Sequence, residues 1–162
     1  MVYKYLNCLV AFLALFSTLG WAQQAHGQPA GEKSTIKIKL SSLLVDDQDK
    51  ALKFYTENLG FVKKTEISMG MYRWLTVVSP AGSEEIELAL EPTGFAPAKT
   101  YQKALYDAGI PLTAFSVDDV QKEFERMKKL GVKFRGEPTK TGPEITVVFE
   151  DTCGNLIQLY QQ

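Results

Sequence analysis

A carboxylate, an arginine, two aromatic side chains and a thiol are the groups in this chain that could do chemistry, and the histidine that would activate them is missing. Glu87 lies in the alternating run Glu85-Ile86-Glu87-Leu88-Ala89. Apolar neighbours there would suit it to act as a general base beside a carbonyl, and the competing reading is a carboxylate paired with an arginine or facing solvent. Arg73, in Met71-Tyr72-Arg73-Trp74-Leu75, carries a planar fork that fits a carboxylate or phosphate. It could equally pair with Glu87 or sit on a sheet rim. Tyr72 and Trp74 could stack on a flat ligand or simply pack, and the sequence leaves open which of Arg73 and Trp74 faces inward. Cys153 sits in the turn Asp151-Thr152-Cys153-Gly154. The single histidine of the chain is His26, ahead of the folded part that is expected to begin near residue 35, so Cys153 has no base and is expected to be a surface thiol or an intermolecular bridge rather than a nucleophile. Neither a Gly-rich phosphate loop nor a Ser-His-Asp set is present.

The elements that must position these groups are written twice. Leu40-Ser-Ser-Leu-Leu-Val45-Asp46-Asp47 recurs as Leu112-Thr-Ala-Phe-Ser-Val117-Asp118-Asp119. Thr76-Val77-Val78, leading through a Gly82 turn to Ile86-Glu87-Leu88, is matched by Thr146-Val147-Val148, Gly154 and Ile157-Gln158-Leu159. A repeat of about seventy residues occurring twice predicts duplication inside one domain, with a cavity between the halves.

The 162 residues fit one domain of ordinary composition, 45% hydrophobic and 23% charged, with a formal net charge of −1. Without a Lys/Arg cluster, no nucleic-acid partner is expected. Residues 1–22 read as a secretory signal peptide: Lys4 in the n-region, an apolar stretch from Leu6 to Leu19, and Gly20-Trp21-Ala22 at the cleavage site. Residues 23–34 read as a flexible lead-in and 35–162 as the folded domain, secreted or periplasmic, with no stable membrane insertion after cleavage. Cleavage would remove Cys8 and leave Cys153 as the only thiol.

Periodicity gives a strand over Thr35–Asp46, a helix capped by Asp46 or Asp47 with Ala51, Leu52, Tyr55 and Leu59 on its apolar stripe, and a stop at Gly60. Strands follow at Phe61–Ile67, Tyr72–Val78 and Glu85–Glu91. A proline-bearing linker over 92–111 holds a short helix at Tyr101–Asp107. The second unit runs as a strand at Leu112–Val117, a helix from about Asp119 to Leu130, and strands at Val132–Arg135, Ile145–Glu150 and Asn155–Gln161. The units span about 35–91 and 112–161. The fold class is α+β: two tandem β-α-β-β-β units forming a cupped mixed sheet, with helices on the convex side.

The phrase Ala51-Leu52-Lys53-Phe54-Tyr55-Thr56-Glu57-Asn58-Leu59-Gly60-Phe61 after Val45-Asp46-Asp47, with the closing Asp151-Thr152-Cys153-Gly154-Asn155-Leu156-Ile157, resembles the vicinal oxygen chelate superfamily of glyoxalase I, extradiol dioxygenases and bleomycin-resistance proteins. The resemblance covers about Thr35 to Tyr160 and implies the fold far more than an activity. Metal-using members take ligands from the first and last strand of each unit. Those positions here are Leu40, Leu112, Glu87 and Gln158. One carboxylate and one amide are too few donors for a tight divalent site, so no metal or other cofactor is expected.

Strand alternation lines the expected cavity with Leu40, Ser42, Leu112, Ala114, Ser116, Glu87, Gln158 and Tyr160, with Arg73 a further candidate. Ile86, Leu88 and Leu90 are expected to pack under the helices. A mostly apolar set with a few polar groups suits a small amphipathic organic ligand. The leading expectation is thus an exported, metal-independent small-molecule-binding protein of the glyoxalase/bleomycin-resistance type. The alternative is a lyase or isomerase with Glu87 as base and Arg73 or Tyr160 steadying an oxyanion. A third reading is a non-catalytic assembly domain, a homodimer or a partner of another envelope protein, since relatives dimerise through the same sheet edges.

Overall fold

The computed structural model describes residues 34–162; the signal peptide expected at 1–22 and nearly all of the lead-in at 23–34 lie outside the described residues. The first half is β1 (Leu40–Val45), α1 (Gln48–Glu57), β2 (Val62–Met69), β3 (Tyr72–Val78) and β4 (Glu87–Pro92). A connecting helix, α2 (Ala96–Asp107), leads into β5 (Thr113–Ser116), α3 (Val120–Lys129), β6 (Thr139–Thr141), β7 (Glu144–Glu150) and β8 (Leu156–Gln161). These build two four-stranded mixed sheets, ordered β1-β4-β3-β2 and β5-β8-β7-β6. In each, the outer first strand runs parallel to the last and the other pairings are antiparallel.

Local chemistry repeats with the sheets. Asp47 caps α1 by accepting from the amides of Asp49 and Lys50 at 2.8 and 2.9 Å, and Asp119 caps α3 by accepting from Lys122 at 2.9 Å. Gly60, at φ 76°, lets the chain leave α1 in a left-handed turn. Each helix buries one stripe, Ala51, Phe54 and Tyr55 on α1 and Val120, Phe124 and Met127 on α3. The strand positions facing them, among them Leu43, Val77, Leu90, Phe149 and Leu159, join a single core drawn from both halves. Phe54 of α1 stacks on Phe149 of β7 at 6.2 Å, and Phe61 meets Phe115 edge-on at 5.6 Å.

Polar groups clasp the junction. Tyr55 donates to Asp151 at 2.9 Å, and Asp151 also accepts from the backbone amides of Cys153 and Asn155 and from the Asn155 side chain. Gln102, on α2, donates to the carbonyls of Leu44 and Cys153 and to the Asn155 side chain. The expected surface position of Cys153 is therefore corrected. Its side chain is buried at 1% exposure because the Asp151 turn folds inward onto α1 and α2. Burial and the neighbouring Asp151 charge push its thiol up to about 12.

Three other readings change. The helix in the connection begins five residues earlier than expected, at Ala96, because Pro97 falls in its first turn, where a missing N–H costs nothing. Val132–Arg135 is not a strand but a one-residue bridge, Phe134 opposite Phe149; past Gly136 and Pro138 the edge resumes as β6. Ile86 stands half exposed just before β4 instead of packing under a helix, while Leu88 and Leu90 do join the core.

Candidate functional site

Between the facing edges of the two sheets lies a cavity of about 730 Å³. Phe61, in the turn after α1, and Phe115, on β5, line it as an edge-on pair together with Met127 of α3. Ser41, Ser79 and Ser83 bring hydroxyls from the first half and Ser116 from the second, so a few polar groups border a largely apolar hollow. Two carboxylates, Asp118 and Glu123, stand on the α3 side, and Glu123 is already engaged by Arg126.

Of the residues expected to line a cavity, Glu87, Ala114 and Ser116 meet here. Glu87 is half-buried and its Oε2 accepts from Thr76 Oγ1 at 2.6 Å and, at longer range, from Thr65 Oγ1 at 3.5 Å. Thr76 is itself fully buried, so this carboxylate is anchored to the sheet. Leu40 lies beside Glu87 in the parallel β1–β4 ladder, and Ser42 beside Ala89, but neither borders the cavity. Gln158 and Tyr160 lie on β8 opposite Ala114 and Ser116, on the same sheet face but outside the lining.

Leu112 does not take the place that the repeat assigns to it. In the first half Leu40 pairs with Glu87, whereas in the second Gln158 pairs with Ala114, and Leu112 donates its amide to Leu156 two residues back. The parallel pair in the second half is thus slipped by two residues, a shift that preserves which face a side chain takes and leaves no mark on the alternation. Leu112 packs against the core.

Arg73 does not border this cavity. Its guanidinium bonds Asp49, in the first turn of α1, and Glu66 on β2 at 2.9 Å, so it does not pair with Glu87, and the residue lines a different hollow of about 500 Å³ beside Tyr72 and Trp74. The hydrogen bond it donates to the Asp49 carboxylate holds its pKa above the ordinary arginine value. By strand alternation Trp74 and Tyr72 take the opposite, helix-free face. Neither Arg73 nor Tyr160, the two residues expected to steady an oxyanion beside Glu87, is in the lining of the cavity that Glu87 borders. Among the described residues, no three His, Cys, Asp or Glu side chains converge as a metal site would require.

Sequence reasoning missed Phe61 and Phe115, which lie on the core-facing side of their segments. Alternation places them under the helices correctly, but the hollow exists because the two sheets do not pair with each other at β1 and β5. No pattern within one strand reports a gap between two.

The geometry and the family agree. The family model for the Glyoxalase/Bleomycin resistance protein/Dioxygenase superfamily matches residues 37–159, and the chain belongs to that superfamily. It is 52% identical over 127 residues to the uncharacterized protein YurT of Bacillus subtilis (strain 168), a match spanning 78% of this chain and 100% of YurT. Among solved structures it is similar to UcmS2, at 30% identity and a TM-score of 0.68, covering 78% of this chain and 98% of that one. It is also similar to TnmS3, an antibiotic binding protein from Streptomyces sp. CB03234, at 26% identity and a TM-score of 0.61, covering 80% and 98%.

Proposed function

We propose that this is an exported binding protein that holds a small amphipathic organic molecule in the cavity between its halves without a metal. The observation that carries the reading is the cavity itself: about 730 Å³, lined by Phe61, Phe115 and other apolar side chains with a few serine hydroxyls, in a domain similar to an antibiotic binding protein. Metal independence rests on the donor set, in which the four strand positions that metal-using relatives employ are Leu40, Leu112, Glu87 and Gln158. Export rests on the composition of residues 1–22: a lysine-bearing start, an apolar run and small residues at the expected cleavage point. Among the described residues no helix is long and apolar enough to cross a membrane.

A thermal-shift screen against antibiotics and small metabolites tests the binding. A ligand present at a hundred times its Kd adds about 2.7 kcal/mol of stability. Ala114→Trp, which fills the hollow from β5, should abolish the shift. A hit that Ala114→Trp leaves intact, or one that needs added nickel, zinc or iron, would overturn the reading. Fractionation of cells producing the full chain tests the export, which predicts recovery outside the cytoplasm with residues 1–22 removed.

A further inference from the structure

Side-chain carboxamides in this protein close strand edges where ladder pairing is missing. Gln48, the first residue of α1, donates to the carbonyl of Arg73 at 2.8 Å and accepts from its amide at 3.3 Å, so one carboxamide meets both backbone groups of one residue. Gln102 and Asn155 act together at the outer edge of β1. Glu87 donates to the Lys39 carbonyl and Thr93 to that of Val45, so the odd-numbered residues of β1 turn their backbone groups to β4. Leu44 turns its own outward, and its carbonyl accepts from Asn155 at 2.7 Å and from Gln102 at 3.0 Å. Backbone groups left unmet inside a protein are costly, and these amides relieve that cost.

The outer edge of β5 lacks such a cover. Val117 donates to the Tyr160 carbonyl, so Thr113, Phe115 and Val117 face β8, while Ala114 and Ser116 turn their amides and carbonyls to the open side. The cavity of about 730 Å³ lies against that edge. Two differences between the halves account for it. In the turn between β7 and β8, Gly154 is followed by Asn155. In the turn between β3 and β4, Gly82 is followed by Ser83, whose short hydroxyl already accepts from the Glu85 amide. The helix that carries Gln102 connects the halves and so occurs only once. Among the described residues that border the cavity there is no asparagine or glutamine.

Resting on the reading of this cavity as the binding site, we infer that its ligand brings the carboxamide that the chain lacks there. The ligand is a primary amide on a flat apolar body, set against the edge at Ala114 or Ser116 with its ring beside Phe61 and Phe115. The N–H and C=O of a primary carboxamide match the outward carbonyl and amide of an edge residue, as those of Gln48 match Arg73. An ammonium would only donate and a carboxylate only accept, and each would leave one backbone group unmet.

Equilibrium dialysis of the full chain against 2-naphthamide, and against 2-acetylnaphthalene, a ketone of the same shape with methyl in place of the amide nitrogen, tests this. The amide should bind more tightly by about tenfold or more. Ser116→Pro removes an amide that faces away from β8, leaves the ladder intact, and should weaken naphthamide binding about tenfold. Ala114→Trp should abolish binding of both probes. Trp74→Ala, in the other hollow, should leave it unchanged, with melting curves confirming that each variant is folded. Equal affinity for the two probes, with both lost in Ala114→Trp, overturns the carboxamide selection and keeps the cavity as a site. Naphthamide binding that survives Ala114→Trp overturns the location. If neither probe binds, carboxamide selection falls as well, and the thermal-shift screen decides separately whether the cavity binds other molecules.

Discussion

Tyr55 and Asp151, ninety-six positions apart, meet inside the protein as donor and acceptor at 2.9 Å, and through them the first helix of one half is tied to the last turn of the other. Three further donors, the amides of Cys153 and Asn155 and the Asn155 side chain, converge on the same carboxyl. A buried carboxylate is tolerated when its lone pairs are met, so the two halves are held at a fixed angle by a polar contact as well as by the aromatic core.

Tyr55→Phe keeps the ring in the core and removes one donor to Asp151. Urea unfolding should show a loss of about 2 kcal/mol, the scale of a hydrogen bond to a charged acceptor. A change under about 0.5 kcal/mol would mean that the contact is incidental to stability.

The pH dependence has a definite sign. Burial raises the Asp151 carboxyl above its ordinary value, although its hydrogen bonds pull the other way. A carboxyl raised in the folded state contributes stability that is fully present below its unfolded value of 3.8 and lost as pH rises through the folded one. Wild type should therefore gain on Asp151→Asn as pH falls from 7 to 4, measured by paired urea melts. Asp47 runs oppositely: its carboxyl is lowered, first by the hydrogen bond from the Lys50 amide. Its contribution is present above 3.8 and fades as pH falls through the lower, folded value, so Asp47→Asn should flatten the acid limb.

The Cys153 thiol, buried and raised to about 12, should resist disulfide exchange reagents at pH 8. In a Cys8→Ser background no thiol should titrate until urea is added, when one equivalent appears. Rapid labelling of the native protein would show that the turn opens readily.

β3 and β4 pair only at Thr76–Ala89 and Val77–Leu88. Beyond them the Gln48 side chain bridges the strands, donating to the carbonyls of Arg73 and Leu90 and accepting from the Arg73 amide; Gln48→Leu removes these three hydrogen bonds. A destabilisation of about 2–3 kcal/mol is expected, because carbonyls and an amide lose their partner while only part-exposed to water. Hydrogen exchange at the Arg73 amide should accelerate more than at Val77, which sits inside the paired ladder.

Glu87→Gln separates binding from turnover. Ligand affinity in the cavity between the halves should change by less than about threefold, roughly 0.6 kcal/mol, since the neutral side chain can still accept from Thr76. Any reaction found to depend on this residue would instead be lost.

Much of this was legible in the residues. The Asp47 and Asp119 caps, the two helical stripes and the alternation of β3, β7 and β8 are local signals, and local physics suffices to read them. Thr139–Thr141 was not, because an edge strand exposed on both faces has no apolar alternation to display. The two-residue slip that puts Ala114 rather than Leu112 beside Gln158 is silent for the same reason: face parity survives it. The burial of Cys153 depends on Tyr55, Asp47 and Gln102, none within fifty residues of it, while the turn around it reads as polar. Trp74 and Arg73 could not be told apart by type, and their faces were decided by Asp49 and Glu66 claiming the guanidinium.

The unequal pairing of the two halves has a consequence for how such a protein can change over generations. Six unbroken residue pairs in β7–β8 make the second copy a buttress, whereas the first copy tolerates a gap held open by a single glutamine. Once a gene carries its scaffold twice, one copy can be kept conservative while the other drifts. Substitutions at Tyr72 and Trp74, beyond the stretch where β3 pairs with β4, then leave the β7–β8 ladder as it was. Redundancy in the fold becomes latitude for change.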